Sequence, residues 1–128
     1  MRKTRHGDYE KTVTFAAWMG YKIHVVFTDD MRASYFKRYG ETGLMDDPCV
    51  SALYSGHETG NAHLFYSSVA RAGYVAHEAW HAIHGMFEWA GVEIFDNETT
   101  AYHLGYLVGE ITKFQNKVLG VKSSTKKR

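Results

Sequence analysis

At 128 residues the chain suits one domain with a modest core, and its 45% hydrophobic content is ordinary for a globular protein. Fifteen Lys and Arg against fourteen Asp and Glu leave no global field, so nucleic acid is not an expected partner. Lone Cys49 can make no internal disulfide, and no stretch reads as a signal peptide or a membrane span, so the expectation is a cytoplasmic protein without membrane contact.

Residues 12–18 and 22–28 are rich in β-formers and flank Met19-Gly20-Tyr21, which predicts an opening β-hairpin. Asp29 or Asp30 can cap a helix running through Met31, Tyr35 and Arg38, with Gly40 as its stop. Residues 40–48 are turn-rich and hold the only proline, Pro48. Residues 50–54 and 63–67 then read as two short strands.

Over residues 70–90 the apolar positions Val75, Ala79, Ile83, Met86 and Ala90 recur at spacings of three and four, which predicts a helix stopped by Gly91. A loop over 92–96 leads to a second helix over 98–119, with Asp96 or Asn97 as cap. Its expected buried positions are Ala101, Leu104, Leu107, Val108, Ile111 and Val118, and Gly105 and Gly109 are expected to let the two helices pack closely. The expected domain is 1–120, followed by a flexible basic tail over 121–128.

The first of these helices carries His77-Glu78-Ala79-Trp80-His81, an HExxH motif. Residues four apart share a helix face, roughly 5–6 Å apart at Cβ, so two imidazoles at this spacing can close on one zinc ion. Glu78 is offset by about 100° and stands beside the metal, where a general base belongs. A catalytic zinc needs a third protein ligand and one open position. The elongated motif HExxHxxGxxH would require a histidine at Phe87 and a glycine at His84, so it does not apply. Glu88 is roughly 16 Å along the same helix from His77, too far for the same ion. Glu98, in the first turn of the second helix, is the better third ligand and gives a His₂Glu set of His77, His81 and Glu98.

With Asn97-Glu98-Thr99-Thr100-Ala101 following the HExxH run, the chain resembles the gluzincin, thermolysin-like metallopeptidases, where a glutamate on a following helix completes the zinc site. Its small size and the glutamate-x-x-alanine pattern also look like intracellular ImmA/IrrE-type peptidases and compact phage-encoded HExxH proteins. The resemblance covers roughly residues 61–110. It implies an α+β, minimal zincin fold: a small N-terminal antiparallel sheet with a helix, then the HExxH helix packed on a second helix carrying the third ligand. It implies Zn²⁺ as cofactor and peptide-bond hydrolysis by a zinc-activated water, with Glu78 as general base. The substrate is then a protein or peptide, and residues 61–67 resemble the edge strand that holds it in such enzymes. If phage-encoded, the protein would act in the host cytoplasm.

Where thermolysin-like enzymes often place an aspartate four residues after the third ligand, this chain has Tyr102. Oxyanion stabilisation falls to Tyr102, His103 or Tyr106 as expected donors, with Tyr102 and Tyr106 one turn apart. The alternative function is a catalytically inactive zincin-fold binding protein, for example a phage factor that engages a host protein. For other residues the plainer readings stand. His84 is a neighbouring or surface group, His6, His24 and His63 are structural or surface groups, and His103 serves packing or function. Trp80 and Trp89 are core or interface aromatics, and the aromatic content would suit a dimer interface.

Overall fold

The structure, a computed structural model, describes residues 1–40, 52–57, 60–92 and 96–126. Cys49, nearly all of the turn-rich 40–48 stretch and most of the 92–96 loop lie outside the described residues. Strands β1 (Tyr9–Phe15) and β2 (Tyr21–Thr28) form the predicted hairpin, from Tyr9 opposite Phe27 to Phe15 opposite Tyr21. β1 ends earlier than expected because Ala16–Trp18 coils into a 3₁₀ turn. Met19 and Gly20, with φ of 55° and 73°, then reverse the chain.

Helix α1 (Met31–Tyr39) has both predicted ends. The Asp30 carboxylate accepts the Ala33 N–H at 3.0 Å, and Gly40, at φ 72°, donates its N–H to the Phe36 carbonyl at 2.7 Å.

β3 (Ala52–His57) and β4 (Asn61–Ser67) pair antiparallel, and β4 also pairs parallel with β2. The resulting four-stranded mixed sheet has the order β1-β2-β4-β3. This corrects the expectation that 61–67 is a free strand edge, because β4 is hydrogen-bonded on both sides. Its composition fits that inner place: Ala62, Leu64 and Tyr66 are buried on one face and Phe65 on the other. The outer strand on that side, among the described residues, is β3.

α2 (Ala72–Trp89) and α3 (Asn97–Lys126) cover one face of the sheet, and α1 packs on the other through Met31 against Val26 and Phe65. Val75, Ala79, Ile83 and Met86 of α2 meet Leu107, Ile111, Phe114 and Val118 of α3 in the main core. Ala101 is exposed, unlike its expected burial, and Leu104 and Val108 sit at the core's rim. Among the described residues nothing lies within 4 Å of where a Cβ on Gly105 or Gly109 would stand, so these glycines do not bring α2 and α3 close.

α2 ends in a Schellman turn. Gly91, at φ 79°, donates to the Glu88 carbonyl, and Val92 donates to that of Phe87. Asp96 accepts the Glu98 N–H at 2.9 Å and so caps α3.

The flexible tail expected over 121–128 is helical as far as Lys126. Val121 packs against the core, and the Lys122 ammonium pairs with Asp29 and donates to the Ser68 hydroxyl at 2.9 Å. The architecture is α+β. No described helix is long and apolar enough to cross a membrane.

Candidate metal centre

The buried stripe of α2 runs through Val75, Ala79, Ala82, Ile83, Met86 and Phe87. His77 and His81 lie two residues either side of Ala79, about 160° around the helix from it, and both are exposed. Their Nε2 atoms approach to 3.3 Å, with ring centroids 4.9 Å apart and ring planes at 75°. Two Zn–N bonds of ~2.0–2.1 Å at a tetrahedral angle of ~109° would separate the nitrogens by about 3.3–3.4 Å. The two histidines therefore already hold the spacing that a shared tetrahedral ion requires.

Glu78 is half-buried on the flank of the helix. Among the described residues it has no hydrogen-bond or ion-pair partner. Its charge is nonetheless felt by Tyr66, whose phenol is pushed well above its ordinary value by burial first and by Glu78 second. Tyr66 itself donates its O–H to the Val75 carbonyl at 2.9 Å and so ties β4 to the helix start.

Glu98 is exposed in the first turn of α3. It stands nine residues before buried Leu107, about 180° around the helix. Among the described residues no three His, Cys, Asp or Glu side chains form a group that could hold a metal ion, so Glu98 is not gathered with His77 and His81.

The three expected oxyanion donors are likewise not assembled here: no hydrogen bond or ring contact joins them to His77, Glu78 or His81. Tyr102 is 78% exposed, and Tyr106, 50% exposed, sets its ring edge against Phe15 at 5.8 Å. His103 is committed elsewhere. Trp18 donates its indole N–H to Nε2 at 2.8 Å, and Nδ1 meets the Thr99 carbonyl at 2.7 Å. An indole only donates and a carbonyl only accepts, so the imidazole is neutral with its proton on Nδ1. Its ring lies 6.0 Å from that of Phe15 and 5.6 Å from that of Phe87.

No known protein family, curated protein or solved structure matches this chain.

The structure adds one residue that the sequence reading did not single out. Tyr54, on β3, lays its ring nearly parallel to the His81 imidazole, at 19° with centroids 6.0 Å apart. Its phenol hydrogen-bonds that of Tyr21, which is buried in the core. Burial raises the Tyr54 phenol above its ordinary value; the hydrogen bond with Tyr21 opposes the shift and the charge of Glu88 adds to it. A Cβ on Gly85 of α2, or on Gly56 of β3, would overlap the Tyr54 phenol. A glycine inside a helix pattern is the available sequence signal for such a close approach, and here it falls at Gly85.

His84, His24 and His63 lie apart from the pair. His84 pairs with Glu88 at 3.3 Å one turn further along α2, and Trp80 lies 5.7 Å from it. The His24 and His63 rings lie 4.6 Å apart, tilted by 32°, on the opposite sheet face, where Thr12 bonds His24 at 2.8 Å and Tyr39 bonds His63 at 2.6 Å.

Proposed function

We propose that this chain is a small zinc-dependent peptidase with a minimal zincin-like architecture. The observation that carries the reading is the 3.3 Å approach of the His77 and His81 Nε2 atoms, which fits a shared tetrahedral zinc ion. His77 and His81 would hold the metal through Nε2, each as the neutral Nδ1-protonated tautomer. Glu98 is the proposed third ligand from its place in the first turn of the helix after the HExxH helix, together with the gluzincin resemblance.

Bound zinc would lower the pKa of a coordinated water toward ~7 and polarise the scissile carbonyl. Glu78 would take the proton of the attacking water and deliver it to the leaving nitrogen. With no described partner to neutralise it, its carboxylate is available as a base. An extended peptide would add to β3, the outer strand beside α2 among the described residues, by backbone hydrogen bonding. The test is Glu78→Gln. The variant should bind zinc like wild type and lose cleavage of unstructured protein substrates such as casein; equal cleavage by both proteins would overturn the mechanism.

One observation favours a second reading, an inactive zincin-like binding protein. Glu98 is exposed and stands apart from the two histidines. On that reading Glu78→Gln leaves biological activity unchanged, whereas substitutions on the exposed surface abolish it.

A further inference from the structure

We infer that Tyr54 is a positioning residue for the metal ligand His81; the inference rests on the proposed zinc site. The argument begins with exposure. His81 projects from the solvent side of α2, where an imidazole attached only at Cβ samples several rotamers within nanoseconds. A two-histidine bite needs one of those rotamers, and each alternative lowers the population competent to bind. Something must therefore restrict the ring before a metal arrives.

Tyr54 is placed to do this. Its ring, 19° from parallel with the imidazole at a centroid distance of 6.0 Å, lies along one side of His81 and limits χ2 rotation toward the sheet. Tyr54 is itself held firmly. Its phenol bonds that of Tyr21 in the core, and its far end fills the space left by Gly85 and Gly56. The chain Tyr21, Tyr54, His81 thus carries rigidity from the core of the sheet to a ligand on an exposed helix face. Gly85, one helical turn beyond His81, admits the phenol against the helix, so the HExxH helix and the outer strand are matched to each other. Gly85 and Tyr54 are outside the HExxH motif itself, and the restraint acts on one histidine of the pair.

Cobalt(II), whose visible absorption reports tetrahedral ligation, is the probe. Wild type, Tyr54→Phe, Tyr54→Leu and Gly85→Ala are titrated at a temperature where circular dichroism shows each folded. Supporting groups around metal ligands typically contribute about 10–100-fold in affinity, so Tyr54→Leu should fall in that range while Tyr54→Phe, which keeps the ring but loses its bond to Tyr21, falls between wild type and Tyr54→Leu. Gly85→Ala, which displaces the ring, should resemble Tyr54→Leu. A Tyr54→Leu protein that binds cobalt as tightly as wild type overturns the inference, as does Tyr54→Phe weakening as much as Tyr54→Leu. Failure of wild type to bind cobalt is a different result: it removes the zinc reading and this inference with it. A second measurement needs no variant. Wild-type NMR should show nuclear Overhauser contacts between the Tyr54 ring and the His81 imidazole protons, and their absence contradicts the placement.

Discussion

Trp18 and His103 form a closed polar pair inside an aromatic cluster, the indole N–H donating to Nε2 at 2.8 Å. Because Nδ1 is already occupied by the Thr99 carbonyl, this one bond satisfies the last polar atom of the ring. It also joins the turn after β1 to the first part of α3. Trp18→Phe would leave that nitrogen without a donor and thin the packing against Phe87, whose ring centroid lies 4.9 Å away. We expect a loss of about 1–3 kcal/mol in urea unfolding, with cobalt affinity unchanged. A large fall in metal affinity from this variant would show that His103 belongs to the site after all.

Acid sensitivity should centre on Asp8. Its carboxylate is wholly buried and takes two bonds from Arg38, at 2.6 and 3.0 Å, and one from Thr4 at 2.6 Å. Burial alone would raise its pKa, but the hydrogen bonds from Arg38, Thr4 and Ser34 and the Arg38 charge together hold it below the ordinary 3.8. A carboxyl that titrates lower in the folded than in the unfolded chain adds stability above its unfolded value and loses it as pH falls through its folded value. Stability should therefore drop below pH 3.8, and this part of the drop should vanish in Asp8→Asn. At neutral pH Asp8→Asn should cost about 3 kcal/mol, near the low end for breaking a buried pair, because Arg38 keeps Glu10 at 3.0 Å. Unfolding curves at pH 7 and pH 3 for both proteins make the comparison; identical acid slopes would contradict the assignment.

The last turns of α3 are held rather than free. Lys122 reaches Asp29 and Ser68 at the ends of β2 and β4, and its pairing is the main reason the Asp29 carboxyl sits below its ordinary value. Truncation after Gly120 should lower stability by about 1–2 kcal/mol, mostly through the packing of Val121, since so exposed an ion pair contributes little. Hydrogen exchange of amides 118–122 should be protected in the full chain. Unprotected amides there would restore the flexible tail.

What the sequence makes legible follows the range of the forces involved. The ends of α1 and α2 are local: Asp30, Gly40 and Gly91 act within one turn, and each does what its residue type predicts. Helical periodicity likewise locates Val75, Ala79, Ile83 and Met86 in the core. Sheet order is not local. Nothing in Asn61–Ser67 by itself says that β2 flanks it on one side and β3 on the other, so the edge lies at β3, one strand earlier than its pattern suggests. The glycines illustrate the same limit. Gly105 and Gly109 look like packing positions, yet among the described helix glycines Gly85 is the one that meets a neighbour, because there Tyr54 arrives from β3. For the site, the helical repeat places His77 and His81 together, while the place of Glu98 depends on how α3 is rotated, which one periodic stripe with rim residues does not fix.

Glu98 bears on the site separately from the histidine pair. If it is the third ligand, Glu98→Ala should reduce zinc retained after dialysis by at least about tenfold. Retention equal to wild type would assign the third position to another group and leave the His77 and His81 pair intact.

The most direct test of the central claim is zinc per chain by elemental mass spectrometry, on untagged protein reconstituted with zinc and dialysed, for wild type and His81→Ala. The account predicts about one zinc in wild type and far less in the variant, since a catalytic site holds one ion through three protein ligands. Wild-type protein that retains no zinc after reconstitution, or a His81→Ala protein that retains as much, would contradict it.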